Sequence, residues 1–335
     1  MSRVGVVVIG RNEGERLRRC FTSLRDCGAP LVYVDSGSSD GSPALARAAG
    51  AIVVELDPSE PFTAARARNA GFERLLATHP DTDVVQFVDG DSEMVGGWLE
   101  RAARELAAKE AVAVVFGRIR ELAPRPSIYS RLFQVEWDGP VGDVKACGGN
   151  AMMRSRAFRD VGEFNPTLIA GEDPEMCVRL RRRGWRILRI DSEMSLHDST
   201  MTRFAQWWRR TLRCGYSFAA GAALHGRSPE RHRVHETRSV WFWGLLLPLT
   251  IIGLSWWTRG LSLVLAGAYP ALAWRIAQRC RSRGIARADA WLYAAFCVLG
   301  KLPECIGQLR YFFLRGLGRR GGLIEYKHRA ASEPP

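Results

Sequence analysis

Four short, nearly unbroken apolar runs constrain this chain most: VGVVVIG (4–10), LVYVDSG (31–37), AIVVELD (51–57) and DVVQFVD (83–89). Each is rich in valine, leucine or isoleucine, and helical spacing occupies the stretches between them. A strand buried on both faces reads this way, because it has no solvent side for polar residues to mark. The intervening helices are expected at RNEGERLRRCFTSL, at SPALARAAG (42–50, stopped by glycine) and at FTAARARNAGFERLLATH (62–79). GWLERAARELAAKE (97–110) and AVAVVFGRI (111–119) continue the alternation as helix and strand. This order predicts an α/β fold with a Rossmann-like, mostly parallel sheet that collects ligands at the carboxyl ends of its strands. Asp35 and Asp89 stand at such ends, and Asn12 follows a third.

The rhythm lapses between Arg120 and Lys145, where prolines and aromatics mix. A loop over the site and an ordinary surface connection both fit that composition. A helix is expected again from Asp173 to Arg183.

Past residue 200 the character changes. Residues 1–200 hold 27 basic and 29 acidic side chains, and residues 201–335 hold 21 and 6, so the whole net charge of +13 belongs to the last part. The same part is the most apolar, which points to a membrane surface and away from nucleic acid as the partner. SVWFWGLLLPLTIIGLSWW (239–257) has no charge and about the length needed to cross a bilayer. GLSLVLAGAYPALAW (260–274) is a shorter second stretch. Arg231, Arg233 and Arg238 precede the pair and Arg275, Arg279, Arg281 and Arg283 follow it, so both ends are expected on the cytoplasmic side of a hairpin. Two buried helices of a soluble helical domain are the alternative. Residues 288–320 suit interfacial helices, with aromatics toward lipid and arginines toward headgroups. The expected division is a catalytic domain over 1–215 and a membrane region over 216–335. The eight cysteines form no CxxC pair, consistent with reduced thiols facing the cytosol. The apolar run at the start is too short for a signal peptide, so the amino terminus is expected in the cytoplasm.

Several motifs sit where chemistry is expected. YVDSGSSDGS (33–42) follows a buried strand with a small-residue turn opening a helix, which suits either a nucleotide phosphate or simple capping by Asp35. RARNAG (66–71) places Arg66, Arg68 and Asn69 on an early helical turn, where a solvated face is the plain alternative. In VDGDSEM (88–94), Asp89 and Asp91 flank one glycine at a strand end, so a hard cation would relieve their mutual repulsion. A wet acidic turn is the other reading. GEDPEM puts Glu172 and Asp173 at a helix start, where the dipole stabilises acids and would keep Asp173 ionised as a proton acceptor. His197, in SLHDST, is either structural or a cation ligand.

Taken in order, VVVIGRNEGERLRRCFTSL, VDSGSSDGS, ARARNAG, VDGDSEM and GEDPEMCVRLRRRGWRI resemble the motifs of family-2 inverting glycosyltransferases of the GT-A fold. The resemblance covers roughly Arg3 to Thr211, and the basic apolar tail looks like that of membrane-attached bacterial members. It implies that Asn12 and Glu13 form the turn after the first strand, that Asp35 contacts the nucleotide base and that Arg68 lies beside it. It further implies Asp89 and Asp91 as the DxD acids, Asp91 being the direct metal ligand, with His197 completing a Mn²⁺ or Mg²⁺ site. Asp173 matches the general base and Glu172 its partner. QWWRR (206–210) is similar to the signature of processive members but has Arg210 where those carry tryptophan, leaving Arg209 and Arg210 as candidates for holding diphosphate. Ser36 stands where many members carry a second acid.

The implied activity is transfer of a sugar from a nucleoside-diphosphate sugar to a lipid-linked or glycan acceptor in cell-envelope or exopolysaccharide synthesis. The implied location is the bacterial inner membrane, with the catalytic domain facing the cytoplasm. A nucleotidyltransferase making the activated sugar would require a glycine-rich, lysine-bearing loop, which GRNEGERL is not. A non-catalytic membrane scaffold that kept the fold is the remaining alternative.

Overall fold

The structure, a computed structural model, describes residues 2–122, 127–199, 201–319 and 321–322. Residues 123–126 of the expected 120–145 connection, together with 320 and 323–335 of the expected carboxyl-terminal region, lie outside the described residues. The chain divides into two compact units, Met1–Ala123 with Trp137–Ser199 and Pro124–Glu136 with Thr200–Pro335. The division falls at residue 199, ahead of the expected boundary at 215, because residue 215 sits inside one unbroken 22-residue helix.

The first unit is built on a nine-stranded sheet. Its strands are β1 (Val4–Gly10), β2 (Leu31–Asp35), β3 (Ile52–Glu55), β4 (Val84–Asp89), β5 (Ser92–Met94), β6 (Val112–Glu121), β7 (Gly142–Val144), β8 (Ala151–Arg154) and β9 (Arg186–His197). Helices α1 (Glu15–Leu24), α2 (Ser42–Ala48), α3 (Ala64–Thr78) and α4 (Trp98–Ala108) alternate with the first strands as the apolar runs foretold. Alternate residues of β1 feed opposite cores. Val7 and Ile9 pack with Phe72 and Leu75 of α3, while Val6 and Val8 pack with Leu17 and Phe21 of α1. Both faces are covered, which is why the run shows no polar alternation.

The strand order is β3-β2-β1-β4-β8-β6-β9-β5, with β7 on β9. From β1 the chain goes first to β2 on one side and later to β4 on the other, and the crevice at this reversal is where such sheets bind ligands. The sheet is mixed, which corrects the expectation of a mostly parallel one. β8 enters antiparallel between β4 and β6, and β5 and β7 pair antiparallel with β9. β8 starts where β4 ends, with Phe87 opposite Ala151, so Asn150 sits at the mouth of the crevice. Helices α5 (Ile128–Trp137), α6 (Ser155–Asp160) and α7 (Glu172–Arg182) follow β6, β8 and the 161–171 connection.

In the second unit, α8 (Phe204–His225) packs on α13 (Lys301–Gly316) through glycines. A Cβ on Gly215 would lie 2.0 Å from the Glu304 carbonyl, and one on Gly307 would lie 2.0 Å from that of Leu212. α9 (Val234–Trp241) continues through a π-helical segment, Phe242–Leu246, into α10 (Leu247–Ser255). Val234–Ser255 is, among the described residues, the one helix long and apolar enough to cross a membrane by length and composition. A 3-10 segment, Leu261–Gly267, and α11 (Ala268–Arg281) return beside it, tied by Ser262 Oγ donating to the Ile251 carbonyl at 2.9 Å and Tyr269 Oη to that of Trp243 at 2.7 Å. α12 (Arg287–Leu299) and α5, which belongs here up to Glu136, complete the unit.

Candidate active site

Strand ends and helix starts supply the site. After β1, Asn12 adopts a left-handed backbone (φ 53°), a region where asparagine is tolerated better than most residues. Its backbone N–H donates to Ser38 Oγ at 2.9 Å, and its Oδ1 accepts from the Ser39 N–H at 2.7 Å. Asp35 is buried and accepts from the Ser38 N–H at 2.7 Å and from Tyr33 Oη at 3.1 Å. Asp35 thus caps its own turn, while Asn12 ties that turn to the end of β1. Glu13 is also buried and pairs with Arg16 at 2.7 Å.

β4 ends in Asp89-Gly90-Asp91. Gly90 lies so close to β1 that its N–H donates to the Ile9 carbonyl at 2.8 Å, and a Cβ there would come within 3.1 Å of that same oxygen. Asn150 holds the turn from the other side. Its Oδ1 accepts from the Asp89 N–H at 2.8 Å, and its amide donates to Ser92 Oγ at 2.9 Å and Ser195 Oγ at 3.3 Å.

Arg68 is the hub. Although expected beside a nucleotide base, it is 3% exposed and its fork is directed at carboxylates. One nitrogen donates to Glu172 Oε1 at 2.8 Å and Asp173 Oδ1 at 3.3 Å, and the other to Asp89 Oδ1 at 2.8 Å. Phe164 lies under the guanidinium at 5.5 Å. Burial alone would lower its pKa, but Asp173, Asp89 and Glu172 outweigh that and raise it, so the group stays charged. Glu172 and Asp173 open α7 behind Gly171 (φ 80°), where the helix dipole favours anions. The hub therefore joins the β4 turn to the start of α7.

Asp91 and His197 form a second constellation. The Asp91 side chain is 1% exposed, and its Oδ2 lies 3.3 Å from His197 Nε2 at the end of β9. His197 stands opposite Ser92 on β5 and opposite Glu121 on β6. The buried Cys20 thiol beneath is pushed up by burial first and then by Asp91, Asp89 and Glu13, which marks this end of the sheet as strongly negative. Glu93 pairs with Arg19 at 3.0 Å. No group of three or more His, Cys, Asp and Glu side chains able to hold a metal occurs among the described residues. Asp91 and His197 nevertheless fit a Mg²⁺ or Mn²⁺ that takes its remaining ligands from phosphate and water, as such ions commonly do.

Arg209 and Arg210 belong to α8 in the second unit. Arg209 is exposed, whereas Arg210 pairs with Glu136 at 2.9 Å and lies over the Phe133 ring at 4.6 Å. Sequence reasoning missed Asn150 and Glu121. The glycine pair before Asn150 was the available signal for the first; nothing local marked the second.

Residues 5–162 match the family described as Glycosyl transferase family 2. Pre-mycofactocin glycosyltransferases from two strains of Mycobacterium tuberculosis are 33% identical over 235 residues, covering 66% of this chain and 48% of theirs. The chain thus spans about half the length of these curated relatives. The succinoglycan biosynthesis protein ExoA of Rhizobium meliloti is 24% identical over 221 residues, 61% of this chain and 66% of that protein. Among solved structures, the mannosyltransferase PcManGT from Pyrobaculum calidifontis, in complex with GDP-Man and Mn²⁺, superposes with a TM-score of 0.56 at 18% identity, covering 92% of this chain and 87% of that one. That likeness is one of fold, an α/β mixed sheet of the GT-A type. Residues 5–162, just under half of the chain, thus carry a glycosyl transferase family 2 domain.

Proposed function

We propose that the first unit transfers a sugar, with inversion, from a nucleoside-diphosphate sugar to a hydroxyl-bearing acceptor. The observation that carries this reading is Arg68 joining Asp89 of the DxD turn to Glu172 and Asp173 of the α7 start in one buried cluster. A divalent cation at this site would neutralise the donor diphosphate as it leaves. Asp91 and His197 would hold that cation, and Asp35, on the turn that Asn12 ties to the end of β1, would meet the nucleotide base. Arg68 donates to Asp173 Oδ1 and so orients this carboxylate, which would accept the proton of the acceptor hydroxyl. Attack from the face opposite the diphosphate then inverts the anomeric centre in one displacement.

The second unit is proposed to hold the chain at a membrane, near a lipid-linked acceptor. The support is the apolar hairpin, whose tip residues Trp256 and Trp257 are 86% and 83% exposed, together with the basic excess beyond residue 200. Arg209 and Arg210 remain candidates for a diphosphate contact, Arg209 being the less committed of the two. The relatives' printed names, a pre-mycofactocin glycosyltransferase and a succinoglycan biosynthesis protein, favour sugar transfer over nucleotide-sugar synthesis.

The deciding experiment measures turnover of a panel of radiolabelled nucleotide sugars with Mn²⁺ in membranes containing wild type or Asp173→Asn. A fall of about 10²-fold or more with donor binding unchanged is expected for loss of a general base. Wild-type turnover in that variant would end the base assignment. Flotation with anionic vesicles tests attachment: Trp256→Ser with Trp257→Ser should lower the bound fraction, and no change would remove the hairpin tip from the contact.

A further inference from the structure

Glu121 closes β6 in a part of the sequence that carries no motif, yet its carboxylate faces the inner side of the His197 ring. Its side chain is 7% exposed, and Oε2 lies 3.6 Å from His197 Nδ1. The other oxygen is held in place, accepting from the Ser199 N–H at 2.7 Å. His197 therefore sits between two buried carboxylates, Asp91 at Nε2 and Glu121 at Nδ1. The Trp137 ring meets the imidazole edge-on at a centroid distance of 4.9 Å and limits its rotation.

The register shows how this arrangement is built. β6 and β9 run parallel with Phe116 opposite Arg189, and that register, continued unbroken, would set Glu121 opposite Met194. Two irregularities, between Phe116 and Arg118 and between Arg118 and Ile119, advance β9 until Glu121 faces His197. Gly117 makes the first possible, since a Cβ there would sit 2.4 Å from the Ser192 carbonyl. Bulges of this kind re-aim side chains beside functional sites.

We propose that Glu121 is a positioning residue for the cation site: it takes the Nδ1 proton of His197 in a hydrogen bond and thereby turns the Nε2 lone pair toward the ion shared with Asp91. This rests on the reading of Asp91 and His197 as cation ligands. Histidine ligands commonly donate their second ring N–H to a carboxylate, which fixes the tautomer and raises ligand basicity. At 3.6 Å the contact is longer than a hydrogen bond, so the proposal requires the ring and the carboxylate to approach by about 0.4 Å.

The test is direct Mn²⁺ binding to the purified full chain, read from the electron paramagnetic resonance of free Mn²⁺, with either uridine or guanosine diphosphate present. Glu121→Gln keeps an oxygen for the Ser199 N–H but loses the charge, and Glu121→Leu loses both. The expected weakening of Mn²⁺ affinity is about 10-fold for E121Q and up to about 100-fold for E121L, with His197→Ala at least as weak. In ¹⁵N-histidine spectra of the Mg²⁺-loaded wild type, His197 should carry its proton on Nδ1 alone, and E121L should mix the two tautomers. If H197A weakens binding while E121Q and E121L stay within twofold of wild type, Glu121 only braces Ser199 and the proposal is overturned. If H197A itself binds Mn²⁺ like wild type, the cation-site reading beneath the proposal fails instead.

Discussion

Replacing Arg68 by methionine would keep the apolar stem and delete the charge that three carboxylates share. The guanidinium is 3% exposed and lies within 2.8 Å of Asp89 and Glu172 and 3.3 Å of Asp173. Removing one side of a buried ion pair costs about 3–5 kcal/mol, because the partner stays buried and uncompensated. Three acids converge here, so Arg68→Met should reach the upper part of that range. The loss should be read in the first unit alone, by amide hydrogen exchange of β1 and β4. At 1.36 kcal/mol per decade, global-opening exchange should quicken roughly 10³- to 10⁴-fold. Exchange within fivefold of wild type at neutral pH would refute the picture of a dry, mutually dependent cluster.

Two further outcomes follow from the same reasoning. Gly149→Ala would push a Cβ to 2.2 Å from the Arg68 guanidinium and 2.9 Å from Asp89 Oδ2, so it should cost about 1–3 kcal/mol and weaken nucleoside-diphosphate binding in calorimetry; unchanged binding would mean the fork moves freely. The Glu163 carboxyl is pushed up to about 7, by burial first and then by the hydrogen bond and charge of Glu73. Its folded value exceeds its ordinary one, so its contribution is present in acid and lost as pH rises through about 7. Melting temperature should therefore fall more steeply from pH 5 to 8 in wild type than in Glu163→Gln, and parallel profiles would contradict the shift.

The apolar runs and the acids that end them were legible because each is a local pattern. β1 to β4 appear where valine-rich segments occur, and Asp35, Asp89 and Asp91 fall at the ends they imply. The start of α7 at Glu172 was readable for the same reason. β5, β7, β8 and the length of β9 were not, since two are only three residues long and their pairing reaches across more than 40 positions of chain. Arg68 was visible as a charged residue on an early helical turn, but its partners lie 21, 104 and 105 residues away. Spacing alone therefore suggested a solvated helix face where the structure has a buried hub.

The sequence by itself determined the alternation that makes an α/β sheet, the strand ends at which acids gather and the change to a basic, apolar second part. Those features depend on side-chain period and composition, which any short window contains. Tertiary structure alone decided that the sheet is mixed, that Asn150 reaches the DxD turn from an antiparallel neighbour and that Glu121 stands opposite His197. Each of these depends on strand register, and a register shift of one residue leaves composition untouched while changing which side chains meet.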